Sequence, residues 1–339
     1  HQLQAMGIRI SMDDFGSGYS SLNLLNNIPI DILKVDKIFL YGNKLTVNQK
    51  IIISSIIEMA SKLNIRVVCE GVETSEQANF LTVIGCDMIQ GYYYSKPLPE
   101  DEFCTYIDEH IKIKAKLVSF PLDGNFDDAE KKLSGYYIGN HPQFGEGPFD
   151  DTKALKCVGG SILSDMVGLP VESFTNSSYT ITCWAKVDKE SMWSSVVCME
   201  FENGFNSIMP NAGDLKADFR IKLDREVDIW HDTGSEVLPD EEWHFYAATY
   251  NAQTRVGILY VDNVIAGYIE NVPILSGITR ILVGGDVYTS PFHGLIAQIN
   301  IFNQSLSKMD IEIIYENEEK RLSKKTREGR EAKEKIYSR

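Results

Sequence analysis

The sequence has no apolar run that approaches the ~18–20 residues of a membrane-spanning helix. The longest candidates, such as residues 51–57, are interrupted by Ser or Asn within a few positions. We therefore expect no membrane segment in this chain. Positive charge is also scarce, because 33 Lys and Arg face 48 Asp and Glu, which gives a net charge of −15. A surface that acidic repels phosphate backbones, so we expect no DNA binding.

Cysteine motifs for metal binding are missing as well. The six cysteines form no CxxC, CxxxC or Cys/His spacing, and several lie in apolar stretches, where buried free thiols are common. Reduced thiols favour a cytoplasmic location. The chain begins at His1, without Met or a basic-then-apolar signal segment, and we expect it to be the interior of a longer protein.

The length of 339 residues predicts about two domains, and the sequence pattern changes near residue 113. The predicted divisions are a barrel segment at 1–112, a linker at 113–117, an all-β domain at 118–316 and a charged helical or disordered tail at 317–339.

Short strands alternate with helical periodicity in the first part. We predict strands at 8–12, 32–35, 65–69 and 88–90, and helices at 21–27, 47–63 and 75–85. Such alternation indicates parallel strands joined by right-handed crossovers. Polar residues end all four strands, which favours a (β/α)8 barrel over a doubly wound sheet. Four such units are half of that barrel, so the predicted fold is a partial (β/α)8 barrel.

The second part has many short strands separated by Gly, Asn and Asp turns, which is typical of an antiparallel jelly-roll sandwich. The predicted strands are 179–186, 195–202, 218–223, 243–250, 256–261, 280–283 and 295–302.

The strand ends of the first part carry candidate catalytic groups. Asp13, Asp14 and Glu70 would suit Mg²⁺ or Mn²⁺, provided that the chain bends after Asp13, since successive strand residues otherwise face opposite ways. Lys34 would neutralise a phosphate or orient an attacking water. Considered singly, each group has a simpler interpretation. Asp13 and Asp14 are typical of a solvated turn, Lys34 of a surface lysine, and Glu70 of an ordinary strand-to-helix loop.

Four linked motifs of the first part resemble EAL-domain cyclic di-GMP phosphodiesterases. They are DDFGSGYSSL at 13–22, LKVD at 33–36, EGVET at 70–74 and QGYYYSKP at 90–97. The resemblance covers about residues 1–112 and implies a modified (β/α)8 barrel. It also implies metal-dependent hydrolysis of cyclic di-GMP to the linear dinucleotide, and it allows an EAL-type dimer.

The resemblance also implies roles for individual residues. Asp13 and Asp14 bind a pair of metal ions, Glu70 is a ligand or the base near the nucleophilic water, and Lys34 contacts that water or the scissile phosphate. The supporting residues are Ser17, where the family usually has Thr, Glu73, which steadies the glycine loop, and Gln90, which supports the metal site. In complete members of the family, three further metal-site residues precede this segment: the Glu of the motif that names the family, an Asn and another Glu. We therefore expect an incomplete site and no turnover by this chain alone.

The second part resembles concanavalin A-like, laminin-G-like jelly rolls over about residues 118–316. The motifs are YTITCWA at 179–185, WHFYA at 243–247, LYVD at 259–262, FHGLIA at 292–297 and IFNQSLS at 301–307. Such domains bind glycans or proteins, some with Ca²⁺, and some are purely structural. Trp193 and Trp230 lie in loop-like segments and are candidates for stacking on a sugar. The acids at 123–128 would supply Ca²⁺ ligands or act as solvated turn residues.

The leading hypothesis is a bacterial cyclic di-GMP phosphodiesterase with a jelly-roll regulatory module. One alternative is a degenerate EAL domain that binds the nucleotide without hydrolysing it. Another is a glycan- or protein-binding protein.

Overall fold

The computed structural model describes residues 8–17, 29–42, 44–63, 65–103, 106, 117–139, 141–159, 165–174, 177–189, 191–213, 217–223, 231–233, 240–289 and 291–337. Residues 1–114 and 307–309 form one compact unit, and residues 115–306 and 310–339 form a second. Over the described residues, we find no helix with both the length and the apolar character to cross a membrane.

The first unit contains a four-stranded parallel sheet in the order β1-β2-β3-β4. Its strands are β1 Ser11–Phe15, β2 Ile32–Val35, β3 Arg66–Cys69 and β4 Met88–Ile89, and its helices are α1 Val47–Lys62 and α2 Ser75–Val83. The parallel pairing and both helices confirm the predicted alternation. The predicted helix at 21–27 lies outside the described residues.

Both helices begin at a reciprocal cap. Thr46 accepts a hydrogen bond from the N–H of Gln49, and Thr74 does the same for Gln77, while each Gln side chain returns to the cap. Such capping boxes satisfy N–H groups that have no partner within the helix. Apolar residues of the strands and helices then close a core.

The second unit is an antiparallel all-β sandwich with two terminal helices. Its strands are β5 Leu117–Phe120, β6 Tyr136–Ile138, β7 Gln143–Glu146, β8 Lys153–Val158, β9 Met166–Leu169, β10 Tyr179–Val187, β11 Val197–Phe201, β12 Gly204–Met209, β13 Asp218–Leu223, β14 His231–Asp232, β15 Trp243–Asn251, β16 Val256–Val261, β17 Val264–Ile269, β18 Ile278–Val283 and β19 His293–Phe302. The helices are α3 Lys308–Glu319 and α4 Lys324–Tyr337.

The strands form two sheets. An eight-stranded sheet has the order β17-β16-β15-β10-β19-β8-β7, with β5 also paired to β19, and a seven-stranded sheet has the order β14-β13-β12-β11-β18-β9-β6. Apolar residues of both sheets, among them Ile181, Phe219 and Tyr246, form one buried core. All seven predicted strands occur within three residues of their expected bounds.

The eight-stranded sheet is also covered on its other face. Trp184 is fully buried, and its ring packs against Phe149, Phe245 and Tyr315. The indole N–H donates to Glu318 Oε2 at 2.7 Å. Because Tyr315 and Glu318 belong to α3, the terminal helices form part of the second unit's packing.

Candidate functional site

The predicted site residues lie at one edge of the parallel sheet. Asp13 and Asp14 are near the carboxyl end of β1, Lys34 is near the end of β2, and Glu70 directly follows β3. In-register parallel pairing brings these strand ends together, with Lys34 opposite Val68. This is the edge at which parallel α/β proteins place their catalytic groups.

The bend required after Asp13 is present. Pairing between β1 and β2 shifts register between Met12 and Phe15, and Asp14 has a left-handed φ of +50°. A bulge of this kind re-aims side chains that would otherwise alternate. The carboxylates of Asp13 and Asp14 therefore lie on the same side of the sheet edge.

Three carboxylates converge at this bulge. Asp13, Asp14 and Glu70 each offer an oxygen, and these oxygens lie within 4.8 Å of one another. Across the described part of the chain, they form the one such cluster of three or more His, Cys, Asp or Glu side chains. An all-oxygen, anionic donor set fits hard divalent cations such as Mg²⁺ or Mn²⁺. The three predicted ligands therefore lie together, and their role in holding a metal ion stays a prediction.

Lys34 lies between two of the acids. Its Nζ is 2.8 Å from Asp13 Oδ1 and 2.6 Å from Glu70 Oε1. The hydrogen bonds that Lys34 donates, first to Asp13 and then to Glu70, raise the pKa of Lys34 well above its usual value. The bond from Lys34 correspondingly lowers the pKa of the Asp13 carboxyl. Lys34 is therefore a positive charge held in contact with two carboxylates.

Ser17 and Gln90 reach the same region through local hydrogen bonds. The Ser17 hydroxyl donates to the Asp14 carbonyl oxygen at 2.9 Å, which closes the turn after β1. The Gln90 N–H donates to the Cys69 carbonyl at 2.9 Å, and its carbonyl accepts from the Val72 N–H at 3.1 Å. Gln90 thereby ties the end of β4 to the loop that carries Glu70.

Glu73 has a different local setting from the three acids. Its backbone N–H donates to Gln77 Oε1 at 2.8 Å, and Glu73 is one of the residues that line a cavity of about 470 Å³. Gln77 also donates to the carbonyls of Leu40 and Gly42 at 2.7 and 3.1 Å. Sequence reasoning missed Gln77, although its spacing from Thr74 is a recognisable capping pattern.

Gly91 is a second residue that sequence reasoning did not single out. A Cβ atom there would lie 2.0 Å from the Val72 carbonyl oxygen and 2.3 Å from the Val72 nitrogen. Only glycine allows the strand-end loops of β3 and β4 to approach this closely. The close approach fixes the loop that follows Glu70.

Of the two tryptophan candidates in the sandwich, Trp193 lies within the described residues. Trp193 is 43% exposed, and the Arg220 guanidinium lies 4.7 Å from its ring centroid. Trp230 lies outside the described residues. The acids proposed as Ca²⁺ ligands accept backbone hydrogen bonds: Asp123 from Lys153 at 2.7 Å, and Asp128 from three N–H groups at 2.6–3.1 Å.

Each of the two parts of the chain matches a known family model. Residues 1–97 match the EAL domain model, and residues 159–312 match the model of the concanavalin A-like lectin/glucanases superfamily. The N-terminal part of this chain is an EAL domain. A concanavalin A-like domain follows it.

The EAL domain is similar to curated cyclic di-GMP phosphodiesterases of Pseudomonas aeruginosa. It is 46% identical to NbdA over 98 residues, which are 29% of this chain and 12% of NbdA. It is 41% identical to RocR over 105 residues, which are 31% of this chain and 27% of RocR. The chain therefore spans no more than about a quarter of either relative.

The second domain has a solved neighbour in domain 4 of AbnA, an extracellular arabinanase of family GH43 from Geobacillus stearothermophilus, in complex with arabinotriose. The two are 18% identical, with a TM-score of 0.49, over 57% of this chain and 96% of that domain.

Proposed function

We propose that the EAL domain of this chain contributes to a site that hydrolyses cyclic di-GMP to the linear dinucleotide. The observation that carries the proposal is the convergence of Asp13, Asp14 and Glu70 within 4.8 Å, with Lys34 in contact with two of them. The similarity to curated cyclic di-GMP phosphodiesterases supports the same substrate.

Asp13, Asp14 and Glu70 would hold two divalent ions, Mg²⁺ or Mn²⁺, together with ligands from the preceding part of the barrel. Bound there, the ions would supply an activated water and charge stabilisation for the leaving oxygen. Glu70 would act as a metal ligand or would accept a proton from the attacking water. Lys34 would contact that water or the scissile phosphate, where its positive charge would offset developing negative charge.

Three further residues would keep this arrangement in place. Ser17 holds the turn after Asp14, and Gln90 holds the loop after Glu70. Glu73 is proposed to steady the glycine-containing loop after β1. EAL domains are TIM-like barrels, and the four parallel strands would be the C-terminal half of one.

The concanavalin A-like domain is proposed to be a binding module that regulates the enzyme. Its fold alone does not specify a ligand. A degenerate EAL domain that binds the nucleotide without hydrolysing it is the rival proposal for the first unit.

Chromatography of the linear dinucleotide tests the proposal. We expect no product from this chain alone with Mg²⁺ or Mn²⁺, and turnover once the upstream barrel half is restored. That turnover is expected to disappear in Asp13→Asn and to persist in Glu58→Gln, which changes an exposed acid of α1. A restored barrel that binds cyclic di-GMP without product would contradict hydrolysis and favour the degenerate domain. Product from this chain alone would refute the incomplete-site argument.

A further inference from the structure

A short irregular segment follows β2 and contacts both loops that carry the candidate metal ligands. We call residues 37–42 the clamped segment; it begins with a 3-10 helix, Lys37–Phe39. Carbonyl groups of irregular backbone have no ladder or helix partner, so a buried segment of this kind needs hydrogen bonds from elsewhere. Leu40 in its middle is 2% exposed, and the partners must therefore come from within the fold.

Two glutamine side chains supply these partners. Gln49 Nε2 donates to the first and third carbonyls of residues 39–42, at 3.2 and 3.0 Å. Gln77 Nε2 donates to the second and fourth carbonyls, at 2.7 and 3.1 Å. Gln49 belongs to α1 and Gln77 to α2, so the segment is held by amides from two helices.

Both glutamines are also fixed at their oxygen atoms. Each is the third residue of a capping box, and its Oε1 accepts from the N–H of Thr46 at 2.9 Å or of Thr74 at 3.0 Å. Gln77 Oε1 accepts in addition from the Glu73 N–H at 2.8 Å. The Gln77 amide thus makes four hydrogen bonds, which is its full capacity, in a residue that is 3% exposed. Such a side chain links the clamped segment rigidly to the first turn of α2.

The clamped segment in turn supports the loops after β1 and β3. A Cβ on Gly16, in the turn after β1, would lie 2.1 Å from the Phe39 ring. A Cβ on Gly71, which directly follows Glu70, would lie 2.3 Å from Lys37 Cβ. Both glycines have positive φ, +107° and +71°. Because the contacts are this close, a shift of the clamped segment must move the chain next to the acids.

We propose that Gln49 and Gln77 are positioning residues, which set the separation of Asp14 and Glu70 through the clamped segment. Groups that orient metal ligands typically change metal affinity or activity by about 10–100-fold when they are removed. The two amides would act in this way at one remove, through the Phe39 and Lys37 contacts. The inference rests on the proposed function, since it concerns the same acids.

Mn²⁺ titration of the form with the restored upstream barrel half, followed by the electron paramagnetic resonance signal of free Mn²⁺, tests the proposal. Gln77→Met keeps the length of the side chain and removes its hydrogen bonds. We expect its Mn²⁺ dissociation constant to rise at least tenfold with the number of sites unchanged. Gln49→Met is expected to shift the constant in the same direction. This second variant keeps the test open if Gln77→Met does not fold.

Thr74→Ala is the matched control. It removes the other half of the α2 capping box, because Thr74 Oγ1 accepts from the Gln77 N–H at 3.2 Å, but it leaves the Gln77 amide in contact with the clamped segment. Its dissociation constant should equal that of wild type. A role in stability alone would reduce the number of sites and leave the affinity of folded molecules unchanged. Wild-type affinity in Gln77→Met and Gln49→Met, or an equal loss of affinity in Thr74→Ala, would overturn the proposal.

Hydrogen exchange of the metal-free protein gives a test that needs neither metal nor hydrolysis. The amides of Ser17 and Glu70 lie beside the two glycine contacts and donate to backbone carbonyls at 3.2 and 3.0 Å. We expect both to exchange at least tenfold faster in Gln77→Met than in Thr74→Ala, and equal rates would overturn the proposal. A wild type that binds Mn²⁺ without hydrolysing cyclic di-GMP would contradict the proposed function alone. A wild type that binds no Mn²⁺ would do the same, and the exchange rates would then decide on the clamp.

Discussion

Arg330 on α4 connects the terminal helix to the sandwich, and its removal should destabilise the second unit selectively. Its Nη2 is 3.1 Å from Asp262 Oδ1 and 3.0 Å from the Tyr315 hydroxyl. The guanidinium also lies 5.6 Å from the Trp184 ring centroid, and its side chain is only 10% exposed. A hydrogen bond to a charged group contributes about 1.5–3 kcal/mol, and a partly desolvated cation–π contact contributes about 1–2 kcal/mol.

We therefore expect Arg330→Ala to lower the free energy of unfolding of the second unit by about 3 kcal/mol. All four tryptophans of the chain, residues 184, 193, 230 and 243, belong to this unit, so tryptophan fluorescence during urea denaturation reports on it alone. Lys324→Ala is the control, because its side chain is 88% exposed and its ion pair with Glu328 is on the surface. A loss below about 1 kcal/mol in Arg330→Ala, or an equal loss in the control, would refute the docking of α4.

Two further predictions concern His244 and Gly91. Burial lowers the pKa of His244, but hydrogen bonds to Asp240 and Asp262 outweigh it and raise the pKa to about 9. Stability from the protonated imidazole is therefore full below about pH 6.5 and lost as the pH rises through about 9. Between pH 7 and 10, wild type should lose about 2–3 kcal/mol more unfolding free energy than His244→Gln, and equal slopes in urea titrations would contradict this. Gly91→Ala should abolish hydrogen-exchange protection of the Val72 and Tyr93 amides, which bond across this close approach, whereas retained protection would show that the loop adapts.

The sequence was most informative where local chemistry decides the structure. Capped helices and alternating strands were predicted at nearly their observed positions. The first strand is the exception, since it was expected at 8–12 and runs from Ser11 to Phe15. The acidic composition of its end is typical of a turn. The strand nevertheless continues through a bulge, because Phe15 still pairs with Val35 of β2.

The burial of a sheet face by a helix that is distant in sequence could not be predicted from local sequence patterns. Nearly all of β10 is buried, because α3 covers the face of the sheet that alternation would leave to solvent. The Trp184–Glu318 bond joins residues 134 positions apart. Likewise, β17 follows β16 through a tight turn with positive φ at Asp262 and Asn263. The partly exposed strand after this turn has too little apolar alternation to be recognised from the sequence.

The candidate site likewise combines residues that local motifs identify with long-range contacts that they do not. The motifs identified Asp13, Asp14, Lys34 and Glu70, and the structure brings them together. The contribution of Gln77 depends on carbonyls more than thirty positions away. The close approach of Gly91 to Val72 likewise depends on how two strand-end loops meet. Neither contact has a signature in the local sequence.

Binding of Mn²⁺ to the form with the restored upstream barrel half, followed by the electron paramagnetic resonance signal of free Mn²⁺, tests the central claim most directly. The account predicts saturable binding that weakens at least tenfold in Asp14→Asn and in Glu70→Gln, with Glu58→Gln unchanged. Absence of binding in wild type, or equal affinity in Asp14→Asn and Glu58→Gln, would contradict the assignment of Asp13, Asp14 and Glu70 as metal ligands.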